Sequence, residues 1–348
     1  MNKKFDISVV IPFYKRDKYA VETFKSLSEQ SLKASLMTEV IFVDSKSRTY
    51  LEQYLINNKN TEFKIFDVDD YVSTKRNLGI RKARSNNIIV IDDDCKPEEN
   101  FLSNHYNKLQ ENKGKKELYC GVITYDNSLI KKSNYFKFRD TLHRFYDKTY
   151  QANGNLNFHN IVVMNMSFNK DVIENSKIFF NEEHNTYGFE DLQFGIDALT
   201  GGIAIKTCNA KVIHQDSTPL SIYYKKLISF GKTYFALFYK INIKYFKIAY
   251  NEKSHNKNNI IIKHIKEYKR LFWISRINSL INRKYFVVKI LFFALFCLIR
   301  VFNHMLMFYL KLTDKSNLLY SFKLYKLFVY MIILESFFGK QEINKGWL

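Results

Sequence analysis

The sequence predicts an α/β fold, a mostly parallel sheet flanked by helices, followed by a basic amphipathic α-helical tail. Three observations carry this. Short β-branched runs alternate with helix-period stretches through the first third of the chain, polar and acidic residues gather where those runs end, and the excess positive charge lies almost wholly behind residue 220.

The elements follow in order. Ile7 to Ile11 reads as the first strand, with a helix near 18–30 behind it, and Val40 to Val43 as the second, with a helix near 49–57. A third strand near 63–66 precedes a helix near 72–85, and Ile88 to Ile91 makes the fourth. This rhythm implies parallel pairing, because a helical crossover returns the chain to the same edge of the sheet. Ligands of such sheets sit at the carboxyl ends of the strands. There the sequence places Tyr14-Lys15-Arg16, then Asp44, then Asp92-Asp93-Asp94.

Beyond residue 115 the pattern loosens. A strand near 118–124 is followed by a polar and aromatic stretch to about residue 158 and by an apolar strand from Ile161 to Phe168. Gly188-Phe189-Glu190-Asp191 opens a short helix closed by Gly201-Gly202, and two strands near 203–206 and 210–214 end at His214-Gln215. A domain over 1–219 and a tail over 220–348 are expected, the boundary being drawn from charge alone.

The common nucleotide-binding loops are missing. No G-x-G-x-x-G follows the first strand, and Gly231-Lys232-Thr233 lacks the earlier glycine of a phosphate loop, Lys226 standing there instead. Cys95, Cys120, Cys208 and Cys297 form no C-x-x-C pair, which argues against a zinc ribbon or disulfide framework and favours a reducing, cytoplasmic setting. The apolar run behind Asn2-Lys3-Lys4 is broken by Asp6 and Pro12 and reads as a strand, not a signal peptide.

Three groups of residues could carry chemistry. Asp92-Asp93-Asp94 leaves a buried strand as three like charges, an arrangement that suits a hard divalent cation holding a diphosphate, or a solvated acidic turn. Glu190-Asp191 directly before a helix offers a general base toward a hydroxyl, or a pair that favours the helix dipole. His214, alone at a strand end, could complete a metal site with one carboxylate or be a satisfied edge histidine.

In combination these segments resemble a known family. Ser8-Val9-Val10-Ile11-Pro12-Phe13-Tyr14-Lys15-Arg16, Val40-Ile41-Phe42-Val43-Asp44, Lys75-Arg76-Asn77-Leu78-Gly79-Ile80 and Ile91-Asp92-Asp93-Asp94 are similar to the successive motifs of family 2 glycosyltransferases with the GT-A fold. Met164-Asn165-Met166-Ser167-Phe168, Gly188-Phe189-Glu190-Asp191-Leu192 and His214-Gln215 continue the likeness, over roughly residues 5–216. The resemblance implies that Tyr14 borders the nucleotide base, that Asp44 accepts a hydrogen bond from it, and that Arg76 lies near the donor diphosphate. Pro12, Arg16 and Asp93 would complete the donor side. Asp92 and Asp94 match the family's D-x-D, with Asp94 the metal ligand and Asp92 shared between ribose and metal, and His214 matches a histidine that joins the metal. Asp191 matches the base, with Glu190 contacting the incoming sugar.

The implied reaction is inverting transfer from a nucleotide-sugar donor, expected to be UDP-linked, to a hydroxyl of a polysaccharide or glycolipid such as capsule or lipopolysaccharide, with Mn2+ or Mg2+ as cofactor. Two departures stand out. Asp44-Ser45-Lys46-Ser47-Arg48 replaces the usual acidic and glycine continuation, and Asp197 and Ala198 stand near the family's frequent arginine. The alternatives are a non-catalytic GT-A-like scaffold and a nucleotidyltransferase, the latter leaving Glu190-Asp191 without a role.

The 348 residues carry a formal net charge of +20. Residues 220–348 hold 23 Lys and Arg against 5 Asp and Glu, so the tail supplies +18 of it and needs an anionic partner. On a helical wheel Lys225, Lys226, Lys232, Lys240, Lys244 and Lys247 share an arc of roughly 120°, and Asn282, Lys289, Arg300, Asn303, His304 and Lys311 one of roughly 100°. Two amphipathic helices with narrow polar stripes are therefore expected. The run Ile290 to Ile299 is about 15 Å of helix against a hydrocarbon core of about 30 Å. In-plane attachment at the cytoplasmic face of the inner membrane is the favoured reading, with a single span over 285–310 or a soluble helical subdomain as the alternatives. No nucleic-acid motif accompanies the lysines, so no nucleic-acid partner is expected.

Overall fold

The computed structural model describes residues 4–46, 48, 50–58, 61–69, 71–143, 154–156, 161–183, 188–231, 286–316 and 319–343. These form two compact units, 1–218 with 314–320 and 219–313 with 321–348.

The first unit is built on a nine-stranded sheet of order β3-β2-β1-β4-β8-β6-β9-β5, with β7 paired to β9. The β-branched runs make β1 (Ile7–Phe13), β2 (Thr38–Asp44), β3 (Glu62–Asp67) and β4 (Asn87–Ile91), all pairing in parallel. Each is followed or preceded by a helix: α1 (Asp17–Lys33) and α2 (Leu51–Asn57) bury apolar residues, whereas α3 (Val72–Lys82) buries mainly the polar run Ser73 to Asn77. β1 and β2 are buried on both faces, which is why they read as continuous apolar runs with no alternation. The strand order reverses at β1 and β4, so their carboxyl ends flank the crevice where ligands of open α/β sheets bind.

The second half of this sheet is mixed. After β5 (Cys95–Pro97) and α4 (Phe101–Glu111), β6 (Glu117–Tyr125) pairs antiparallel with β8 (Asn165–Asn169) and parallel with β9 (Ala204–His214), while β7 (Asn155–Leu156) lies against β9. Two expected elements differ. The apolar run from Ile161 is buried, but only its last part is strand, because 163–164 turn. The two strands expected near 203–206 and 210–214 are one, β9, whose irregularity is absorbed at Gly121, where the β6 register shifts. There Asn165 Nδ2 donates to the carbonyls of Val122 (3.1 Å) and Ala210 (3.0 Å), occupying the space a side chain at 121 would need.

Among the described residues the remaining helices of this unit are α5 (Asn127–Lys132), α6 (Asn134–His143), α7 (Lys170–Ser176) and α8 (Glu190–Thr200). Helix α6 takes its N-terminal partners from far along the chain. Asp314 accepts from Ser133 Oγ (3.0 Å) and from the Tyr135 amide (2.8 Å), and the Asn134 amide donates to the Asp314 carbonyl (2.7 Å). Asp314 is thus a structural part of this unit and satisfies amides that the helix start would otherwise leave open.

In the second unit, α9 (Phe286–Thr313) packs on α10 (Phe322–Ile343), with a further helical stretch over 220–231. Polar contacts tie these helices together: buried Glu335 accepts from buried Asn303 Nδ2 (2.7 Å) and from half-buried Tyr224 Oη (3.3 Å). The stripe expected over 225–247 lies outside the described residues beyond 231.

Candidate functional site

The site forms at the carboxyl ends of β1, β2, β3 and β4, where α3 and α8 start. The triplet Lys75-Arg76-Asn77 in the first turns of α3 distributes three jobs. Lys75 Nζ donates to the Phe13 carbonyl (2.8 Å) and lies 5.3 Å from the centre of the Tyr14 ring. Arg76, only 2% exposed, donates to Asp92 Oδ1 (3.0 Å) and Asp191 Oδ1 (3.1 Å), with Glu190 Oε1 at 3.5 Å. Asn77 fastens the 180–182 loop, accepting from the Phe180 amide (3.0 Å) and donating to the Phe180 carbonyl (2.8 Å) and to Glu182 (2.7 Å). Phe180 in turn stacks on Phe194 of α8, at 4.2 Å between ring centres, and lies under the Arg76 guanidinium. One helix start therefore sets the position of the base edge, the acidic cluster and α8 together.

Gly188, at φ +82°, supplies the left-handed turn before α8 that a residue with a side chain adopts poorly. Glu190 and Asp191 then occupy the first helical turn, near the positive end of its dipole. Burial, and then the neighbouring Glu190 carboxylate, push the Asp191 carboxyl up, and Arg76 pulls the other way. A carboxylate raised toward neutral pH and held by one guanidinium is suited to taking a proton from a hydroxyl.

Arg16 bridges the two following aspartates. Its Nη1 donates to Asp93 Oδ1 (2.9 Å) and to Asp94, while the Tyr14 amide donates to Asp93 Oδ2 (3.1 Å). Burial, only partly offset by Arg16, pushes Asp93 up to about 7. Burial also acts to raise Asp94, but His214 and Arg16 more than offset it and hold Asp94 low.

Asp94, His214 and the intervening Cys95 have their ligand atoms within 4.8 Å of one another. The Asp94 Oδ2 to His214 Nε2 distance is 3.4 Å, compatible with two ligands sharing one cation. Burial raises the Cys95 thiol well above its ordinary value, so it stays protonated and is a poor ligand for a hard ion. Tyr125 Oη lies 2.9 Å from His214 Nδ1 and so orients the ring. The carboxylate and imidazole fit Mn2+ or Mg2+, with the histidine favouring Mn2+. Asp92 lies outside this cluster and is engaged by Arg76.

At the neighbouring strand ends Asp44 is fully buried at the end of β2, and Tyr14 stands exposed at the end of β1. Pro12 is buried inside β1 opposite Val43, two residues before Tyr14. Lys75, Tyr125 and Cys95 were not among the candidates drawn from the sequence. Lys75 was within a recognised motif, whereas Tyr125 has only a long-range pairing to mark it.

Residues 8–176 match the family described as Glycosyl transferase family 2. No curated protein matches the chain significantly. Among solved structures, residues 1–349 of S. aureus TarS align at 16% identity and TM-score 0.41, covering 66% of this chain and 64% of that one. The same TarS segment in complex with UDP-GlcNAc aligns at 16% identity and TM-score 0.43, covering 66% of each chain. A further S. aureus TarS structure gives 16% identity and TM-score 0.40, covering 66% of this chain and 39% of that one. The chain thus spans somewhat less than two thirds of the first of these structures and a smaller share of the last. Residues 8–176, with their parallel sheet and acidic strand end, are thus similar to glycosyltransferase family 2, and the fold is of the GT-A type.

Proposed function

We propose that the chain transfers a sugar from a nucleotide-linked donor, UDP-linked by expectation, to a hydroxyl of a cell-surface glycan or glycolipid, with inversion at the anomeric carbon. The observation that carries this is the Arg76 clamp, which holds the expected base, Asp191, and the donor-side Asp92 on one buried guanidinium. Asp191 removes the acceptor proton as the hydroxyl attacks from the face opposite the nucleotide, and Glu190 contacts the incoming sugar. Tyr14 and Asp44 hold the base of the donor, and Arg16 and Arg76 place positive charge beside the diphosphate. A divalent cation held by Asp94 and His214 would supply Lewis-acid stabilisation to the leaving diphosphate.

The apolar and basic character of the second unit supports a reading in which this reaction takes place at an anionic membrane. Among the described residues one helix, over Phe293–Thr313, is long and apolar enough to cross a bilayer. Its exposed residues support lying in the plane instead. Leu298, Val301, Met305, Phe308 and Leu312 make an exposed apolar stripe, while exposed Arg300, His304 and Lys311 make a parallel basic one. Release of nucleoside diphosphate from a panel of nucleotide sugars, with and without Mn2+, tests the donor reading, and no release from any member would reject it. Recovery with membranes that survives nuclease and high pH washes but yields to detergent is expected for the tail; recovery in the soluble fraction would reject that part.

A further inference from the structure

The chain leaves β1 through Lys15, in the left-handed region at φ +56°, and sets Arg16 at the start of α1 against the acidic residues that follow β4. One nitrogen of Arg16 serves two carboxylates there: Nη1 donates to Asp93 Oδ1 (2.9 Å) and to Asp94 Oδ2. Asp94 Oδ2 is also the atom that lies 3.4 Å from His214 Nε2. The carboxylate oxygen placed to share a cation with the histidine is therefore the one that holds a guanidinium. Two cations sharing one oxygen of a nearly buried carboxylate repel strongly, because little water screens them. Arg16 and a divalent ion thus oppose each other at Asp94.

Arg16 is the partner able to yield. His214 and Cys95 are buried beside Asp94, whereas the Arg16 side chain keeps 40% of its exposure. Its Nε and Nη2 hydrogens have no acceptor among the described residues, so one edge of the planar fork is open to the paired oxygens of a phosphate. Asp93 is anchored separately, its Oδ2 accepting from the Tyr14 amide (3.1 Å). Asp93 can therefore keep its hold on Nη1 when Asp94 gives it up, and the guanidinium pivots without being set adrift.

We propose that Arg16 couples the donor to the cation: its guanidinium opposes a divalent ion at Asp94 until a diphosphate engages the open fork and draws it off that oxygen. Nucleotide and cation then bind cooperatively, and the cation alone is held weakly. Linkage makes the effect reciprocal, so the factor by which UDP tightens Mn2+ is the factor by which Mn2+ tightens UDP. The proposal rests on the reading of Asp94 and His214 as the cation site and of Arg16 as a donor-side residue.

The test is a binding cycle measured by calorimetry on the full chain, with Mn2+ alone, UDP without metal, and UDP at saturating Mn2+. Arg16→Met keeps the stem and loses the charge. It is expected to bind Mn2+ alone about tenfold tighter than wild type, while the factor by which Mn2+ tightens UDP falls about tenfold. A purely structural role for Arg16 would weaken both ligands together, so a gain for one with a loss of coupling is the distinguishing pattern. Arg16→Lys keeps the charge without the fork and serves if the first variant fails to fold; its affinity for Mn2+ alone is expected to stay near wild type and its coupling to fall. Chelation of Mn2+ by UDP in solution is the same for every variant and cancels from the comparison.

Failure of wild type to bind both Mn2+ and UDP would overturn the underlying site reading. Where wild type binds both, an Arg16→Met chain that binds Mn2+ alone no tighter than wild type would overturn the role given to Arg16. Coupling that is unchanged in either variant would do the same.

Discussion

Replacing Arg76 by Met removes the one cation that Asp92, Glu190 and Asp191 share, at 3.0, 3.5 and 3.1 Å. Truncating one partner of a buried ion pair costs about 3–5 kcal/mol. The Asp92 and Asp191 side chains keep 24% and 33% of their exposure, so water relieves part of the loss and the low end, about 3 kcal/mol, applies. For a domain of this size that is a fall in Tm of roughly 6–12 °C. The deficit has a pH signature. Arg76 is what opposes the rise of the Asp191 carboxyl caused by burial and Glu190, so its loss raises that group further above the ordinary 3.8. A carboxyl raised in the folded state keeps a proton the unfolded chain has released, so folding stability falls as pH rises from the unfolded value through the folded one. Arg76→Met should therefore lose much more stability at about pH 8 than at about pH 5. Thermal melting of variant and wild type at both pH values measures this, with Arg76→Lys expected in between. An equal deficit at the two pH values, or none, would refute the view that Arg76 neutralises this cluster.

Gly121→Ala should destabilise the sheet by about 1–3 kcal/mol or prevent folding, because its Cβ would lie 2.3 Å from the Ala210 carbonyl and 2.3 Å from Asn165 Nδ2; urea unfolding checks it, and a neutral result would mean the register shift is not constrained there. His105, fully buried between Ser167 Oγ (2.8 Å) and Asn165 Oδ1 (2.9 Å), is pushed down to about 4 by burial. Its stabilising effect should be complete above pH 6.5 and lost as pH falls toward 4, up to about 3 kcal/mol, a slope that His105→Gln should flatten in denaturation curves at pH 7 and 4.5.

The sheet that positions the site is legible because its signals are local. β-Branched runs buried on both faces mark β1, β2 and β4, and polar residues follow β1 while acidic ones fall at the ends of β2 and β4, as expected of a ligand crevice. The sequence also singles out Arg76, Asp92 and Asp191, and the fold brings both carboxylates onto the Arg76 guanidinium; the resemblance leads one to expect Arg76 beside a diphosphate, whereas its contact with Asp191 is marked by nothing in the sequence. What escapes a linear reading is set by distant pairings. Tyr125 meets His214 across 89 positions, Arg48 meets Asp67 across 19, and Asp314 completes the start of α6 from 179 residues beyond Tyr135. None of these contacts has a periodicity or spacing that would mark it. The merging of two expected strands into β9 likewise depends on a glycine in its neighbour β6 and on the Asn165 amide, and so on tertiary context.

The central claim is that Asp191 is the base of a sugar transfer whose donor is held by the acidic end of β4. Nucleotide-sugar turnover and donor binding measured side by side on wild type and Asp191→Asn test it most directly. The account requires turnover to fall about 10²–10⁴-fold while donor affinity stays within a factor of about three. Near-normal turnover by Asp191→Asn would contradict it.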